Sequence, residues 1–301
     1  MNSVISLITL YNPTISNIKN IEKISEQSTL VLLIDNSEHS SQSIIDKVGT
    51  NENVIYCPNY DNLGLSLAFN KYLKASEIYS WQDDDLIVFF DQDSVIEEFH
   101  ISNMVNEYIN LENEGYPVGC LGPVYFDLSH NTVRVPKMYK KISHNSIVVD
   151  TIITSSMVCR YRYLKLVGFW SEDIFLDMAD WDLCWKMKQA GLYTIMTRRS
   201  LLTHKVGEGS KKIGLITLDV GKPFREYYET RDCIYLLRKN YVPCKDRVRF
   251  YLQLTIRPIL HLLFLDNKKE RWYYISLGFK HAKKGVCGKI SSSMIYNSLN
   301  P

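Results

Sequence analysis

Residues 86–94 read LIVFFDQDS, an apolar run that stops at a cluster of polar side chains. A short apolar run bounded in this way is typical of a buried strand. Three earlier runs have the same form, at Val4–Leu10, Leu30–Ile34 and Val54–Cys57. The polar clusters that follow them read YNP at 11–13, DNS at 35–37 and PNY at 58–60. The pattern predicts four strands, each with polar residues at its carboxyl end.

Helical patterns separate these runs. Ile15–Glu26 and Leu65–Ala75 place apolar residues on one face, and a further helix is predicted at Asp180–Ala190, followed by a strand at Tyr193–Thr197. Strands and helices in alternation predict βαβ units, and so an α/β fold with a mainly parallel sheet flanked by helices. Ligands of such sheets bind outside the carboxyl ends of the strands. We therefore expect the four polar clusters to line one crevice.

The composition is that of a globular protein. Of 301 residues, 46% are hydrophobic and 23% are charged, which excludes collagen-like and disordered classes. The seven cysteines are scattered and form no CxxC pair, so neither a disulfide framework nor a zinc module is predicted. The N-terminal sequence MNSVISLITL has no basic start of a signal peptide, and we expect a cytoplasmic protein.

The net charge of +2 conceals an uneven distribution. Residues 221–301 hold 16 Lys and Arg against 6 Asp and Glu, which leaves 19 against 27 in residues 1–220. The two segments therefore carry net charges of +10 and −8. This asymmetry predicts an acidic body at 1–220 and a basic C-terminal region at 221–301 that is suited to phosphate, nucleic acid or an anionic membrane surface.

Two carboxylates directly follow the predicted strand at 86–90, at Asp91 and Asp93. Mg²⁺ prefers oxygen ligands and commonly uses one or two carboxylates together with substrate phosphates. The pair alone is a weak motif, since two acids at a strand end also occur in solvated turns. Its place in the predicted crevice favours a metal site.

A second acidic cluster, DMADWD at residues 177–182, opens the helix predicted at Asp180–Ala190. Helix capping accounts for one carboxylate, Asp177 or Asp182. Three carboxylates are more than capping requires. One of them, if it lies near a bound cation, is a candidate general base. His204 follows in a glycine-rich loop, where a histidine is either structural or close to a metal or diphosphate.

The order of these motifs resembles the family 2 glycosyltransferases. The matching segments lie between residue 4 and about residue 240: LYNP at 10–13, IDNS at 34–37, NLG at 62–64 with Asn70, FDQDS at 90–94, DWDLC at 180–184, and His204. The DQDS form and YYETRD at 227–232 resemble, more narrowly, bacterial rhamnosyltransferases that build O-antigen or capsule. The resemblance implies a GT-A fold and transfer, with inversion, of rhamnose from dTDP-rhamnose to a saccharide or lipid-linked oligosaccharide.

The resemblance also implies a set of site residues and a cofactor, Mg²⁺ or Mn²⁺. Metal contacts would come from Asp91, Asp93 and His204, nucleoside and substrate contacts from Thr9, Tyr11, Asn12, Asp35, Asn62, Asn70, Asp91 and Asp182, and the base would be Asp180. One departure is Ala179, where the family carries an acidic residue before the base. The choice among Asp177, Asp180 and Asp182 is therefore open.

The basic region is predicted to be helical. In the helix predicted at 222–241, Arg231 is expected either to reach the diphosphate or acceptor, or to form a surface ion pair with Glu226 or Glu229. Residues 247–265 and 272–289 mix Lys and Arg with aromatic and aliphatic side chains. That mixture fits helices that lie in a membrane interface, or a helical pair packed on the body with solvated lysines.

Other functions stay open at this point. A donor other than dTDP-rhamnose, such as a UDP- or GDP-sugar, fits the same motifs. A metal-dependent nucleotidyltransferase or phosphohydrolase also uses paired carboxylates, and a noncatalytic homologue would retain the fold. A nucleic-acid-binding protein would explain the basic region but neither acidic cluster, and no nucleic-acid-binding motif is present, so we expect no nucleic-acid partner.

Overall fold

The computed structural model describes residues 3–48, 51–128, 131–136, 138–204, 210–213 and 216–296. The strands are β1 Val4–Leu10, β2 Leu30–Asp35, β3 Val54–Pro58, β4 Leu86–Asp91, β5 Val118–Asp127, β6 Thr132–Arg134, β7 Lys140–Lys141, β8 Ser146–Val149, β9 Met157–Arg160, β10 Tyr193–His204, β11 Ser210–Ile213 and β12 Ile216–Asp219. The helices are α1 Ile18–Ser25, α2 Gln42–Val48, α3 Gly64–Leu73, α4 Ser76–Tyr79, α5 His100–Asn113, α6 Tyr161–Leu166, α7 Ala179–Gln189, α8 Arg225–Leu237, α9 Cys244–Phe264 and α10 Lys268–Lys284. Short 3₁₀ turns lie at Ile15–Asn17 and Ser292–Met294.

The large sheet has the strand order β3-β2-β1-β4-β9-β5-β10-β8-β7, with β6 paired to β5. The first four strands are parallel neighbours, as predicted, and β5 and β10 are also parallel. Strand β9 enters between β4 and β5 antiparallel to both, and β6, β7 and β8 add further antiparallel pairs. The α/β class is confirmed, and the sheet is mixed rather than mainly parallel.

Both faces of the sheet are buried under helices. Alternate residues of β4 point to opposite sides, so that Ile87 and Phe89 join one core cluster while Val88 and Phe90 join the other. The first cluster is dense in aromatic rings, with the Phe89 and Trp170 centroids 5.1 Å apart. Strands β1, β2 and β4 are buried on both faces, which explains why they read as continuous apolar runs.

Strand β5 is a long central strand that the sequence patterns above do not predict. This ten-residue strand contains two glycines and a proline, residues that are poor in strands. A Cβ on Gly119 would lie 2.8 Å from the Leu192 Cβ, and one on Gly122 would lie 3.0 Å from the Ile152 side chain. The glycines are therefore needed for close packing, and their presence obscured the strand pattern.

The C-terminal helices pack on the same core as the sheet. Cys233 and Leu236 of α8, Phe250 of α9 and Ala282 of α10 belong to the core cluster that contains Phe89. No helix among the described residues combines the length and hydropathy that crossing a bilayer requires. The division into a body at 1–220 and a C-terminal region at 221–301 stays a prediction.

Candidate active site

The carboxyl ends of the first four strands meet at one edge of the sheet. In the register, Asp35 lies beside Leu10, and Asp91 lies beside Thr9. Backbone amides extend this contact beyond the strands, because Tyr11 N donates to Gln92 Oε1 at 2.9 Å. The structure thus brings the predicted polar clusters together at one edge of the sheet, the place of the expected crevice.

Asp91 is held by two serines. Its backbone amide donates to Ser94 Oγ at 3.2 Å, and Ser155 Oγ donates to its carboxylate. Ser94 Oγ in turn donates to Ser155 Oγ at 3.2 Å. Asp93, two residues further, has an exposed side chain. The DQDS segment therefore presents one half-buried carboxylate bonded to Ser155 and one exposed carboxylate.

Ser155 was not predicted from the sequence. It lies just before β9, which returns antiparallel to β4 and brings residues 154–156 to the end of that strand. Ser156 has a left-handed backbone with φ 64° and donates its amide to Phe89 O at 2.7 Å. The only sequence signal was a polar triplet before a short apolar run, which does not reveal an antiparallel insertion.

Asp35 organises the loop after β2. Its carboxylate accepts hydrogen bonds from the amide and hydroxyl of Ser37, from Ser41 Oγ at 3.1 Å and from the Tyr56 hydroxyl at 2.5 Å. Burial, and then the bond to Asp35, raise the pKa of Tyr56 to about 12, so this phenol remains a donor. Asp35 is itself only 1% exposed. It shapes the loop, and its expected contact with a nucleobase stays a prediction.

The remaining predicted nucleoside contacts lie around this loop. Thr9 is half-buried at the end of β1, and Tyr11 and Asn12 are exposed beyond it. Asn62 Oδ1 accepts from the Gly64 amide at 3.0 Å at the start of α3. These four residues lie near the ends of β1 and the start of α3, and their expected contacts with a nucleoside stay predictions.

Three residues that were predicted to contact substrate lie in the interior instead, and Asn70 and Asp182 are the first two. Asn70 is 1% exposed, and its amide group is bonded to Trp170 and Glu172. Asp182 is fully buried and accepts from the Tyr241 hydroxyl at 2.6 Å. In the described structure both side chains position loops, which corrects the expectation that they face a substrate.

Arg231 is also buried, and neither expectation for it is met. Its Nε donates to Asp232 Oδ1 at 2.8 Å, and its Nη1 donates to the Gly288 carbonyl at 2.6 Å. The two acids expected as surface partners are engaged elsewhere, Glu226 with His261 and Arg271, and Glu229 with Arg257. Arg231 ties α8 to the segment after α10 and is 0% exposed.

Asp180 is half-buried, as is Asp177 of the same cluster. It accepts a hydrogen bond from the Trp181 amide at 2.9 Å and has no side-chain partner among the described residues. Burial raises its pKa to about 7, the Trp181 amide opposes this shift, and the negative charges of Asp91 and Asp177 add to it. The charge of Asp91 therefore acts on Asp180 across the space between the two acidic clusters.

The other two acids of the cluster are paired. Asp177 Oδ1 accepts from Arg225 at the start of α8, while Asp182 bonds Tyr241. Of the three candidate bases, Asp180 is the one whose carboxylate is left without a side-chain donor in the described structure. The geometry favours it over Asp177 and Asp182.

Helix α8 fixes the loop that leads to Asp180. The Phe175 amide donates to the Asp232 carboxylate at 3.0 Å, and the Phe175 ring stacks on Tyr228 with centroids 4.4 Å apart. On the other side, Phe175 O accepts from the Leu65 amide at 2.8 Å. Gly64 has φ +76°, and a Cβ there would lie 2.4 Å from that carbonyl, so only glycine fits. The loop is therefore clamped between α8 and the start of α3.

Helix α9 reaches the same place. The Arg249 guanidinium lies 4.4 Å from the centre of the Trp181 ring, a cation–π contact beside the candidate base.

The described residues contain no group of three or more His, Cys, Asp or Glu side chains that is arranged to hold a metal ion. The backbone of His204 ends β10 beside Asp127, and its side chain lies outside what the structure describes. Asp91 and Asp93 fit a hard cation nonetheless, because they offer two carboxylates at a rigid strand end and a cation there completes its coordination with substrate phosphates and water. The negative charge of Asp91 also contributes to the raised pKa of Asp180.

Known proteins were compared with the chain by sequence and by structure. No family model matches it. Over 302 residues it is 27% identical to the dTDP-rhamnosyl transferase RfbF of Shigella flexneri, a match that covers 96% of this chain and 98% of that protein. The structure is similar to the crystal structure of GalNAc-T7 with UDP, GalNAc and Mn²⁺, with a TM-score of 0.55 and 11% sequence identity. The chain has a GT-A fold.

This GT-A similarity covers 86% of the chain and 58% of the solved structure, so the chain spans less than two thirds of that protein's length. Together the two comparisons confirm the resemblance to glycosyltransferases and the GT-A fold that it implied. Within the GT-A fold, the crevice at the ends of β1, β2 and β4 holds one acidic cluster, and the start of α7 holds the other.

Proposed function

We propose that the chain is an inverting rhamnosyltransferase that moves rhamnose from dTDP-rhamnose to a saccharide acceptor in the synthesis of a bacterial surface polysaccharide. The choice of donor is supported by the end-to-end match with a dTDP-rhamnosyl transferase. A lipid-linked acceptor, the expected cytoplasmic location and the inverting course are further parts of the proposal.

The observation that carries the proposal is the pair of acidic clusters in one crevice. Asp91 ends β4, Asp180 opens α7, and the charge of Asp91 contributes to the raised pKa of Asp180. Inverting transfer needs negative side chains in two roles, one near the leaving diphosphate and one near the attacking hydroxyl. A fold that only bound a sugar would gain nothing from holding these like charges close together.

In this proposal Asp180 takes the proton from the acceptor hydroxyl as that oxygen attacks the anomeric carbon. A base with a pKa of about 7 is well matched to this task near neutral pH. The clamp on the loop through Phe175 holds Asp180 in place, so little reorganisation is needed during reaction. Thr9, Tyr11 and Asn12 lie where the nucleoside would bind.

Asp91 and Asp93 would hold a divalent cation, Mg²⁺ or Mn²⁺. When bound, the cation supplies positive charge to the departing nucleoside diphosphate. Ser155 keeps the Asp91 carboxylate oriented for this contact.

The test is donor binding and turnover by the purified chain. Calorimetry with dTDP-rhamnose, UDP-sugars and GDP-sugars, each with and without Mn²⁺, is expected to give tight binding for dTDP-rhamnose with the metal. Asp93→Ala is expected to abolish metal-dependent donor binding. Asp180→Asn is expected to keep donor binding and to lose transfer, by roughly two to four orders of magnitude in kcat for a missing general base.

Asp83→Asn is the matched control, because Asp83 lies at the opposite end of β4, where it is exposed and paired with Lys165. It should leave both binding and turnover unchanged. Turnover by Asp180→Asn at the wild-type rate would refute the assignment of the base, and preferential binding of a UDP- or GDP-sugar would refute the donor.

A further inference from the structure

Helix α9 carries a row of aliphatic and aromatic side chains on its outer surface. Its members are 50% to 59% exposed: Val248, Tyr251, Leu252, Ile256, Ile259 and Leu263. We call these six residues the α9 stripe. Exposed apolar patches of this extent on a surface mark contact with a partner or a membrane.

The stripe lies opposite the buried face of the helix. Phe250 and His261 are the buried residues of α9, and they point toward α8 and the body. The spacings of four and seven residues between Val248, Leu252, Ile259 and Leu263 put these side chains on one face of the helix. That face lies about half a turn away from Phe250 and His261. Since 21 helical residues are about 30 Å long, the stripe is a long ridge that faces away from the protein.

Helix α10 contacts α9 and adds an exposed surface of mixed character. Trp272 and Phe279 are 59% and 42% exposed on it. Around them, α10 carries exposed lysines that form no ion pair within the described structure: Lys268, Lys269, Lys280, Lys283 and Lys284. An indole among lysines, next to an aliphatic ridge, is the composition of a helix pair at a lipid headgroup boundary.

We propose that the α9 stripe and the exposed face of α10 dock the protein flat on an anionic lipid bilayer. The aliphatic side chains would enter the acyl boundary, and the lysines would meet lipid phosphates. A second copy of the chain is the competing occupant of the ridge. Charge favours the bilayer, because two C-terminal regions of net charge +10 repel each other, while an anionic surface attracts each of them.

The surface is also continuous with the candidate active site. Arg249 follows the first residue of the stripe, and its guanidinium rests on Trp181, which adjoins Asp180. A bilayer against α9 would therefore lie close to the crevice. The docking itself does not depend on the proposed transferase activity, so either can fail alone.

The test is flotation of the full chain with vesicles of phosphatidylcholine, alone or with about one third phosphatidylglycerol. We expect binding to the anionic vesicles only, weakened when salt rises from about 0.1 M to about 1 M and the Debye length falls from ~10 Å to ~3 Å. The double variant Ile259→Gln, Leu263→Gln should lower partitioning by about tenfold or more, because two aliphatic side chains no longer leave water. Replacing Lys268, Lys269 and Lys280 with Gln should remove the preference for phosphatidylglycerol.

The matched control is Ile78→Gln, Leu166→Gln, which alters two aliphatic side chains that are 78% and 64% exposed on α4 and α6. It should float like the wild type. All these side chains are exposed, so the variants should fold, and thermal unfolding would verify this. Failure of the wild type to bind anionic vesicles, or equal binding by both double variants, would overturn the proposal. So would a dimer in sedimentation that Ile259→Gln, Leu263→Gln dissociates.

Discussion

The Asp180 carboxyl group occupies a place where ionisation is unfavourable. It is partly withdrawn from water at the start of α7, and the charges of Asp91 and Asp177 act on it. The folded chain therefore binds a proton here more strongly than the unfolded chain does. In the unfolded chain this carboxyl ionises near pH 4, and in the folded one near pH 7.

The sign of the stability effect follows from this difference. As pH rises from about 4 to about 7, the unfolded state loses the proton first, so the free energy of unfolding decreases. Above pH 7 the cost is fully present. We expect Asp180→Asn to raise the Tm of the ligand-free protein at pH 8 by about 2 °C or more, the shift that roughly 1 kcal/mol gives a chain of this size.

Differential scanning fluorimetry at pH 5 and pH 8 measures this effect. The gain should be smaller at pH 5, where the wild-type carboxyl is protonated in the folded state. Equal Tm values for Asp180→Asn and wild type at pH 8 would show that ionisation of Asp180 does not destabilise the folded protein.

Single residues were predictable from the sequence where the backbone fixes the direction of the side chain. Asp91 follows a strand whose carboxyl end must open on the crevice, and Asp180 begins a helix at the same edge. Arg231 and Asp182 lie inside helices, where neighbouring positions in the sequence point to different sides, some toward solvent and some toward the core. The order of the motifs does not reveal which side of its helix a residue faces in the fold. That depends on packing against α9, α10 and residue 241.

Helix α8 connects the loop of the candidate base to the C-terminal helices. Asp232 accepts from Arg231 and from the Phe175 amide, and both charged groups are fully buried. Burial raises the pKa of Asp232 to about 6, although Arg231 opposes this shift. Such a pair is costly to bury, and once formed it is costly to break.

We expect Asp232→Asn to lower the free energy of unfolding by ~3–5 kcal/mol, because it leaves the Arg231 guanidinium buried without its partner charge. Urea unfolding followed by fluorescence measures the change. Asp83→Asn, which breaks an exposed ion pair with Lys165, is the control and should leave the midpoint unaltered. An unchanged free energy of unfolding for Asp232→Asn would mean that other partners, for example Gly288 O, stabilise the buried Arg231 guanidinium.

Elements were predictable where one pattern held over their whole length. The first four strands were correct to within a residue because apolar runs and polar clusters alternate cleanly there. The strand β5 was missed because Gly119, Gly122 and Pro123 serve packing against Leu192, Ile152 and the bulged strand β10. Those contacts span more than 25 residues of sequence, so no local pattern reveals them.

At the scale of the whole molecule, the sheet and the C-terminal helices share one core. Phe250 of α9 is fully buried and lies against Trp185 of α7, with ring centroids 6.0 Å apart. The charge asymmetry between residues 1–220 and 221–301 is therefore a property of the surface. The sequence predicted a basic C-terminal region, and the helices of that region pack on the same core as the sheet.

We expect the chain to unfold in a single transition, since neither part buries its apolar surface without the other. Phe250→Ala should lower the free energy of unfolding by ~3–5 kcal/mol without splitting that transition, because the cavity opens in the shared core. Calorimetry of the wild type and the variant tests both statements. Two resolved transitions would instead support two independently folding units.

The contact between Arg249 and Trp181 connects α9 to the residue next to the candidate base. The Arg249 guanidinium of α9 lies on the Trp181 indole, and the backbone amide of Trp181 donates to Asp180. We therefore expect the turnover that depends on Asp180 to change when a bilayer lies against α9, a coupling that enzymologists call interfacial activation. A rate that anionic vesicles leave unaltered would contradict this expectation.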